Sequence, residues 1–186
     1  MKTTQVARIQ QSAFRTQQIA KSQILTTLLV LTSCLNPTAA GAESYNKEQA
    51  EVTWVVDGDT LKVRLINQSR EETVRVLGID CPESFANDKC IARNGGKAAC
   101  ERNEVPKGKR AKKYAMDLFR RGRKNVKVVL ETPRGGEERD KYGRKLAYIR
   151  MPNGQDYGYV LVKKELCYDY SHKYPHPRQA KYKAAR

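Results

Sequence analysis

The stretch AEVTWVVDGDTLKVRLI, residues 50–66, reads as two strands and the turn between them. Its first seven residues are rich in β-branched and aromatic types, which pack well on a pleated surface. LKVRLI alternates apolar with basic residues, the pattern of a half-buried strand with one wet face. Between them DGDT, residues 57–60, is a turn in which Gly58 is expected to supply the positive φ that a tight hairpin favours. NQSREE makes a second turn and residues 73–77 a third strand, so the folded part of the chain opens with a three-stranded meander.

The next segment, residues 84–106, has no hydrophobic period and holds Cys90, Gly95, Gly96 and Cys100. A loop this long in a compact domain is usually functional or cross-linked. A helix is expected over 107–121: Ala111, Tyr114, Ala115, Leu118 and Phe119 recur at three- and four-residue spacing, and Gly122 ends it. NVKVVL, residues 125–130, and RKLAYIRM, residues 144–151, are the fourth and fifth strands, separated by the charged, glycine-rich TPRGGEERDKYG. YGYVLVKKEL, residues 157–166, reads as a short helix with Tyr159, Val162 and Leu166 inward. In the tail, His172 and His176 are expected at the surface, Tyr168 against the barrel, and RQAKYKAAR, residues 178–186, in one or two helical turns. Five strands with a helix between the third and fourth is the order of an oligonucleotide-binding (OB) barrel, an α+β fold with short C-terminal helices. A doubly wound sheet would need a helix after nearly every strand.

The chain has 186 residues, enough for one ordinary domain, and a net charge of +16. Such a chain repels its own copies, which points to a monomer, and attracts polyanions, nucleic acids first and acidic membranes second. Residues 1–22 carry four basic and no acidic residues; the apolar run ILTTLLVLTSCL follows, too short to span a bilayer. Ala40-Gly41-Ala42 then forms a small-residue exit, so residues 1–42 read as a secretory signal peptide and 43–49 as a linker to a domain at 50–186. LTSC, ending at Cys34, is a competing exit of the bacterial lipoprotein kind, which would lipidate Cys34, and an uncleaved anchor is the third alternative. In all three cases the domain is exported, to periplasm or medium. Losing four basic residues leaves the domain near +12, with 32 basic against 20 acidic residues, so the basicity belongs to the working domain. It keeps Cys81, Cys90, Cys100 and Cys167, an even number that in an exported protein suggests two disulfides. Three connectivities are open; the local pair is Cys90–Cys100, which leaves Cys81–Cys167.

The chemistry lies in charges at turns. TVRVLGIDCPES, residues 73–84, sets Arg75 in an apolar run and then Asp80 and Glu83 around a proline. Hydrolysing a phosphodiester requires cations aimed at the phosphate oxygens, a metal, and a base for water. Arg75 and Arg144 are candidate cations, since guanidinium forks match phosphate geometry. Asp59 and Asp80 offer the hard oxygens that calcium prefers. Glu83 is the carboxylate left to position or deprotonate water.

The motifs DGDT, RVLGIDCPE and DKYGRKLAY, in this order with a helix between the second and third, resemble the thermonuclease family typified by staphylococcal nuclease, from about residue 52 to 175. The resemblance implies calcium on Asp59, Asp80 and the main-chain carbonyl of Cys81. It implies phosphate activation by Arg75 and Arg144, water activation by Glu83, and nucleotide-phosphate contacts from Lys141 and Tyr142. It implies cleavage of DNA and RNA to 3′-phosphate ends, with no protein partner. The chain departs from the family in three places: Cys81 replaces a threonine, the segment after Glu83 gains two cysteines, and Ser171 falls where the family has a base-contacting tyrosine. Tyr170 and Tyr174 are the candidates to replace it. The rival reading is a non-catalytic barrel that binds single strands through charge and stacking, which needs the groove but not the acids.

Overall fold

The computed structural model describes residues 44–119 and 125–185. The expected export segment, with Cys34 and the Ala42 exit, and the expected helix stop at Gly122 lie outside the described residues.

Strands β1 (Tyr45–Asp57), β2 (Thr60–Leu65) and β3 (Arg70–Val76) form the meander. With β5 (Lys127–Pro133) and β6 (Lys145–Arg150) they close a barrel in the order β1-β2-β3-β6-β5, antiparallel except for β3 beside β6. This is the expected α+β, five-stranded OB-type barrel. Alternation fills it: Leu61, Val63 and Leu65 of β2 and Val74 and Val76 of β3 are buried, while Lys62 and Arg64 are exposed. On β3 this places Arg75 on the face opposite Val74 and Val76, outside the barrel core.

Three elements differ from expectation. Residues 45–49, expected as a linker, are the first part of β1 and pair with β5 from Tyr45↔Pro133 to Gln49↔Val129. Apart from Tyr45, which packs edge-on against Tyr148, their side chains are polar and largely wet, so the backbone ladder is the main tie and no hydrophobic pattern announces them. The expected loop over 84–106 contains two helices, α1 (Asp88–Asn94) and α2 (Lys97–Asn103), each burying one cysteine, Cys90 and Cys100. Those cysteines are bonded to each other, and with Val105 they form a separate small core. A two-residue ladder joins β4 (Ile79–Asp80) to β7 (Tyr168–Asp169), too short to leave a periodic signal.

Helix α3 (Val105–Phe119) packs against β1, with Gly108, Ala111, Ala115 and Phe119 buried and Tyr114 and Leu118 packed at the edge. Helix α4 (Tyr157–Lys163) is N-capped by Asp156, whose carboxylate accepts the Tyr159 amide. It buries Tyr157, Gly158, Leu161 and Val162; Tyr159 and Leu166, expected inward, are half-buried, because the helix turns in from Tyr157 and ends before Leu166. The tail closes with α5 (Gln179–Lys183). His176, expected at the surface, is buried, its Nδ1 2.8 Å from the Tyr148 hydroxyl, whereas Tyr168 is half exposed. The tail folds back over β6, and in doing so exchanges the environments expected for these two rings.

Candidate active site

The turn after β1 starts the site. Gly58 does not adopt the positive φ expected of it. It is required for space instead: a Cβ there would lie 2.9 Å from both the Ala111 Cβ and the Cys81 Sγ. Its neighbour Asp59 is drawn into the wall of the barrel. The Asp59 carboxylate accepts from the Thr60 hydroxyl at 3.0 Å and from the Cys81 amide at 2.7 Å, and it is in direct contact with Arg75. Burial pushes the Asp59 carboxyl up, but the Arg75 guanidinium and the Cys81 and Thr60 donors outweigh it and hold the group below the usual carboxylate range. Asp57, two residues earlier, goes the other way: burial raises it, the Ser84 hydroxyl partly offsets this, and Asp59 adds to the rise.

Arg75 is the hub. One nitrogen meets Asp59; the other donates to Asp80 Oδ1 and to the Ile79 carbonyl, each at 3.0 Å. Two carboxylates from different turns are thereby brought to one guanidinium. The antiparallel pairing Thr60↔Arg75 and the Val76 amide bonded to the Asp59 carbonyl at 2.9 Å fix that meeting. Cys81 contributes through its main chain, because its sulfur is bonded to Cys167. The two disulfides are the local pair and its complement.

Glu83 sits one residue beyond Pro82, and its position has two supports. Its amide donates to Glu104 Oε1 at 3.2 Å. Helix α3 presses on the same turn at Gly108, where any Cβ would run into the Pro82 and Glu83 carbonyls. The Glu83 carboxylate is held through both oxygens, by Lys89 Nζ at 2.9 Å and by Asn87 Nδ2 at 2.8 Å.

Arg144 arrives from the other side. Asp140 makes a turn, accepting the Tyr142 amide at 2.9 Å and the Arg144 amide at 3.0 Å, and its second oxygen takes the Arg144 Nε at 2.7 Å. The guanidinium then reaches the Thr60 hydroxyl at 3.3 Å. The parallel pairing Val74↔Lys145 places this hairpin beside Arg75. Tyr142 is 72% exposed, with Lys141 and Arg144 5.0 and 5.4 Å from its ring.

All of Asp59, Arg75, Asp80, Glu83, Lys141, Tyr142 and Arg144 line one cavity of about 1000 Å³, which Tyr170 and Tyr174 also line. Ser171 does not; it is buried and bonded to Asp169. The structure adds residues that the sequence reading passed over. Asn87, Lys89, Arg93 and Glu104 come from the cysteine-bearing segment: Lys89 lies 3.0 Å from Asp80 Oδ1, and Arg93 bridges Asp80 at 3.3 Å and Glu104 at 2.8 Å. No motif marks them. Asp140 was in plain view in DKYGR, four residues before the arginine it holds. Among the described residues no three acidic, histidine or cysteine side chains form a metal cluster; the side chains offer a pair of carboxylates, Asp59 and Asp80.

The chain is similar to known proteins. The family profile described as Staphylococcal nuclease homologue matches residues 73–186, which takes in every residue of the site except those of the first turn. The chain is 31% identical over 111 residues to a protein named Thermonuclease from Staphylococcus hyicus, covering 60% of this chain and 53% of that one. It is 34% identical over 111 residues to Endonuclease YncB of Bacillus subtilis (60% and 43%), and 35% over 122 residues to SPbeta prophage-derived endonuclease YokF of the same organism (64% and 34%). The chain spans about half or less of the length of these relatives. With the barrel, the paired aspartates and the two arginines in place, this chain belongs to the staphylococcal nuclease homologue family.

Proposed function

We propose that this chain is an exported, calcium-dependent endonuclease that hydrolyses phosphodiester bonds of DNA and RNA and leaves 3′-phosphate ends. The observation that carries the reading is the meeting of Asp59, Arg75, Asp80, Glu83 and Arg144 on one cavity. The family and the printed names of its relatives support it. Cleavage moves negative charge onto the phosphate oxygens, and two guanidinium groups approaching from separate turns supply fixed, oriented donors for it. Glu83 takes a proton from water as the water oxygen bonds to phosphorus; the P–O5′ bond breaks, O5′ leaves as a hydroxyl on taking a proton from solvent, and the phosphate stays on the 3′ side. Lys141 and Tyr142 border the path of the strand, and Tyr170 and Tyr174 are rings for a base to lie against.

The donor set suits calcium. Asp59 and Asp80 present hard oxygens that converge on a single guanidinium, and such an ion completes its shell with main-chain and water oxygens. Asp59, Asp80 and the main chain at Cys81 would hold it, and when bound it would supply a fixed positive charge to the phosphate. Plasmid DNA and a structured RNA incubated with the purified chain, in calcium and then in chelator, test the reading. Both substrates are expected to be cut in calcium only; binding without cutting would leave the single-strand-binding reading in its place. Sequencing the N-terminus of secreted and membrane fractions tests export and separates the Ala42 from the Cys34 exit.

A further inference from the structure

Helix α3 buries Gly108, Ala111, Ala115 and Phe119. At 100° per residue, Lys112 falls at the edge of that stripe, and Lys109 and Lys113 fall beyond it on the same flank. Lys112 is half-buried; the other two are exposed. The flank begins at the rim of the site. The Lys112 charge acts on the Asp57 carboxyl, Asp57 lines the cavity, and Asp57 accepts the hydroxyl of Ser84, the residue after Glu83. The contact of Gly108 with the Pro82–Glu83 carbonyls fixes the helix against the same turn. These lysines are little occupied. Lys113 meets Asp117 at 2.6 Å in an exposed pair of small worth, and Lys109 and Lys112 make no ion pair among the described residues. Met116 is the sole exposed large apolar side chain of this described helix, so it has no face to insert into a bilayer.

We propose that Lys109, Lys112 and Lys113 form a second contact surface for polynucleotide, outside the cavity, which holds backbone phosphates of the strand beyond the point of cleavage. This rests on the nucleic-acid reading above and extends it: substrates long enough to reach α3 bind more tightly than those that fill the cavity alone. The three side chains span about 6 Å along the helix axis, a stepped row of cations along a strand. The contact is sequence-independent and salt-dependent, as phosphate contacts are.

The test is fluorescence anisotropy in chelator, so that nothing is cut. The probes are a labelled oligothymidylate of about 20 nucleotides and a labelled trinucleotide, titrated across a range of salt. The variant Lys109→Gln/Lys112→Gln/Lys113→Gln is expected to bind the long probe about tenfold or more weakly and to lose about two units of salt slope, near 0.7 for each single-strand phosphate. The trinucleotide affinity stays unchanged. Asp117→Asn, which frees Lys113, is expected to tighten the long probe. An unchanged salt slope in a folded triple variant overturns the proposal, and so does equal weakening on both probes. If the wild type binds with this slope and never cuts in calcium, the nuclease reading fails and this surface stands; if it cuts while the triple variant keeps its slope, this surface alone fails.

Discussion

The barrel carries two clusters of acids and arginines, and they are built to opposite ends. Near the tail, Glu131 is held by Arg150 at 2.9 and 3.0 Å and by Arg178, while Asp156 takes Arg178 at 2.6 Å and the Tyr182 hydroxyl at 2.8 Å. Arg178 lies 4.0 Å from the Tyr148 ring centroid and is 9% exposed. Burial pushes Glu131 up, but its two arginines outweigh that and hold it below the usual range. Around the turn after β4 Asp59, Asp80 and Glu83 also have cations on them, yet two of these, Lys89 and Arg93, are 50% and 38% exposed, and Lys89 lines the cavity. A closed cluster specifies where the tail goes; an open one holds charges ready for a ligand to rearrange. Buried ion pairs are costly to break but weak as net stabilisers, so the meaning of each cluster lies in what may enter it.

Four measurements test the contrast. Glu83→Gln is expected to lower the cleavage rate about a thousandfold while the melting temperature holds, because its proposed role is on the attacking water and its amide support is intact. A near wild-type rate would remove it from the mechanism. Arg178→Ala should do the reverse: about 3–5 kcal/mol of stability lost, a fall of roughly 10 °C in melting temperature, by calorimetry, from leaving the buried Asp156 without its arginine and Glu131 with one arginine fewer. A smaller step is expected at Lys89→Met, about tenfold in kcat with little change in KM, and partial recovery in Lys89→Arg, since the ammonium orients the Glu83 carboxylate. An equal loss in both variants would point to packing instead. The mildest effect is on acid stability. A carboxylate lowered in the folded state stabilises above its unfolded pKa and loses that contribution as pH falls through the folded value. Melting temperature should therefore drop below about pH 4.3, and Glu131→Gln should flatten the drop; an unaltered acid limb would mean that Glu131 does not drive it.

The strands of the meander and the buried stripe of α3 could be read from periodicity, because each buries one face against the barrel. The charged residues at the turns could be read because three motifs stood in order. What escaped had no such signal. Helices α1 and α2 owe their place to a covalent bridge and to the Asn87 cap on the Cys90 amide, and they bury two cysteines in place of an apolar stripe. Lys89 and Arg93 ride on them and were invisible with them. The start of β1 is mostly polar, and its side chains meet partners far along the chain, such as Lys145 and Arg134, which local periodicity does not encode. His176 sits at a position where the tail returns to the barrel, a long-range event that neighbouring residues do not encode.

The bridge from Cys81 to Cys167 spans 86 positions, and it ties the turn between Asp80 and Glu83 to the segment after α4 that leads into β7. That span makes completion of the site a late event in the life of the chain. A growing or reduced polypeptide can pair the meander, yet the turn at Cys81 stays untethered until Cys167 has been made and both thiols are oxidised. The bridge therefore works as a timer: it leaves the turn that carries Asp80 and Glu83 unfixed until Cys167 has been made and an oxidant has acted.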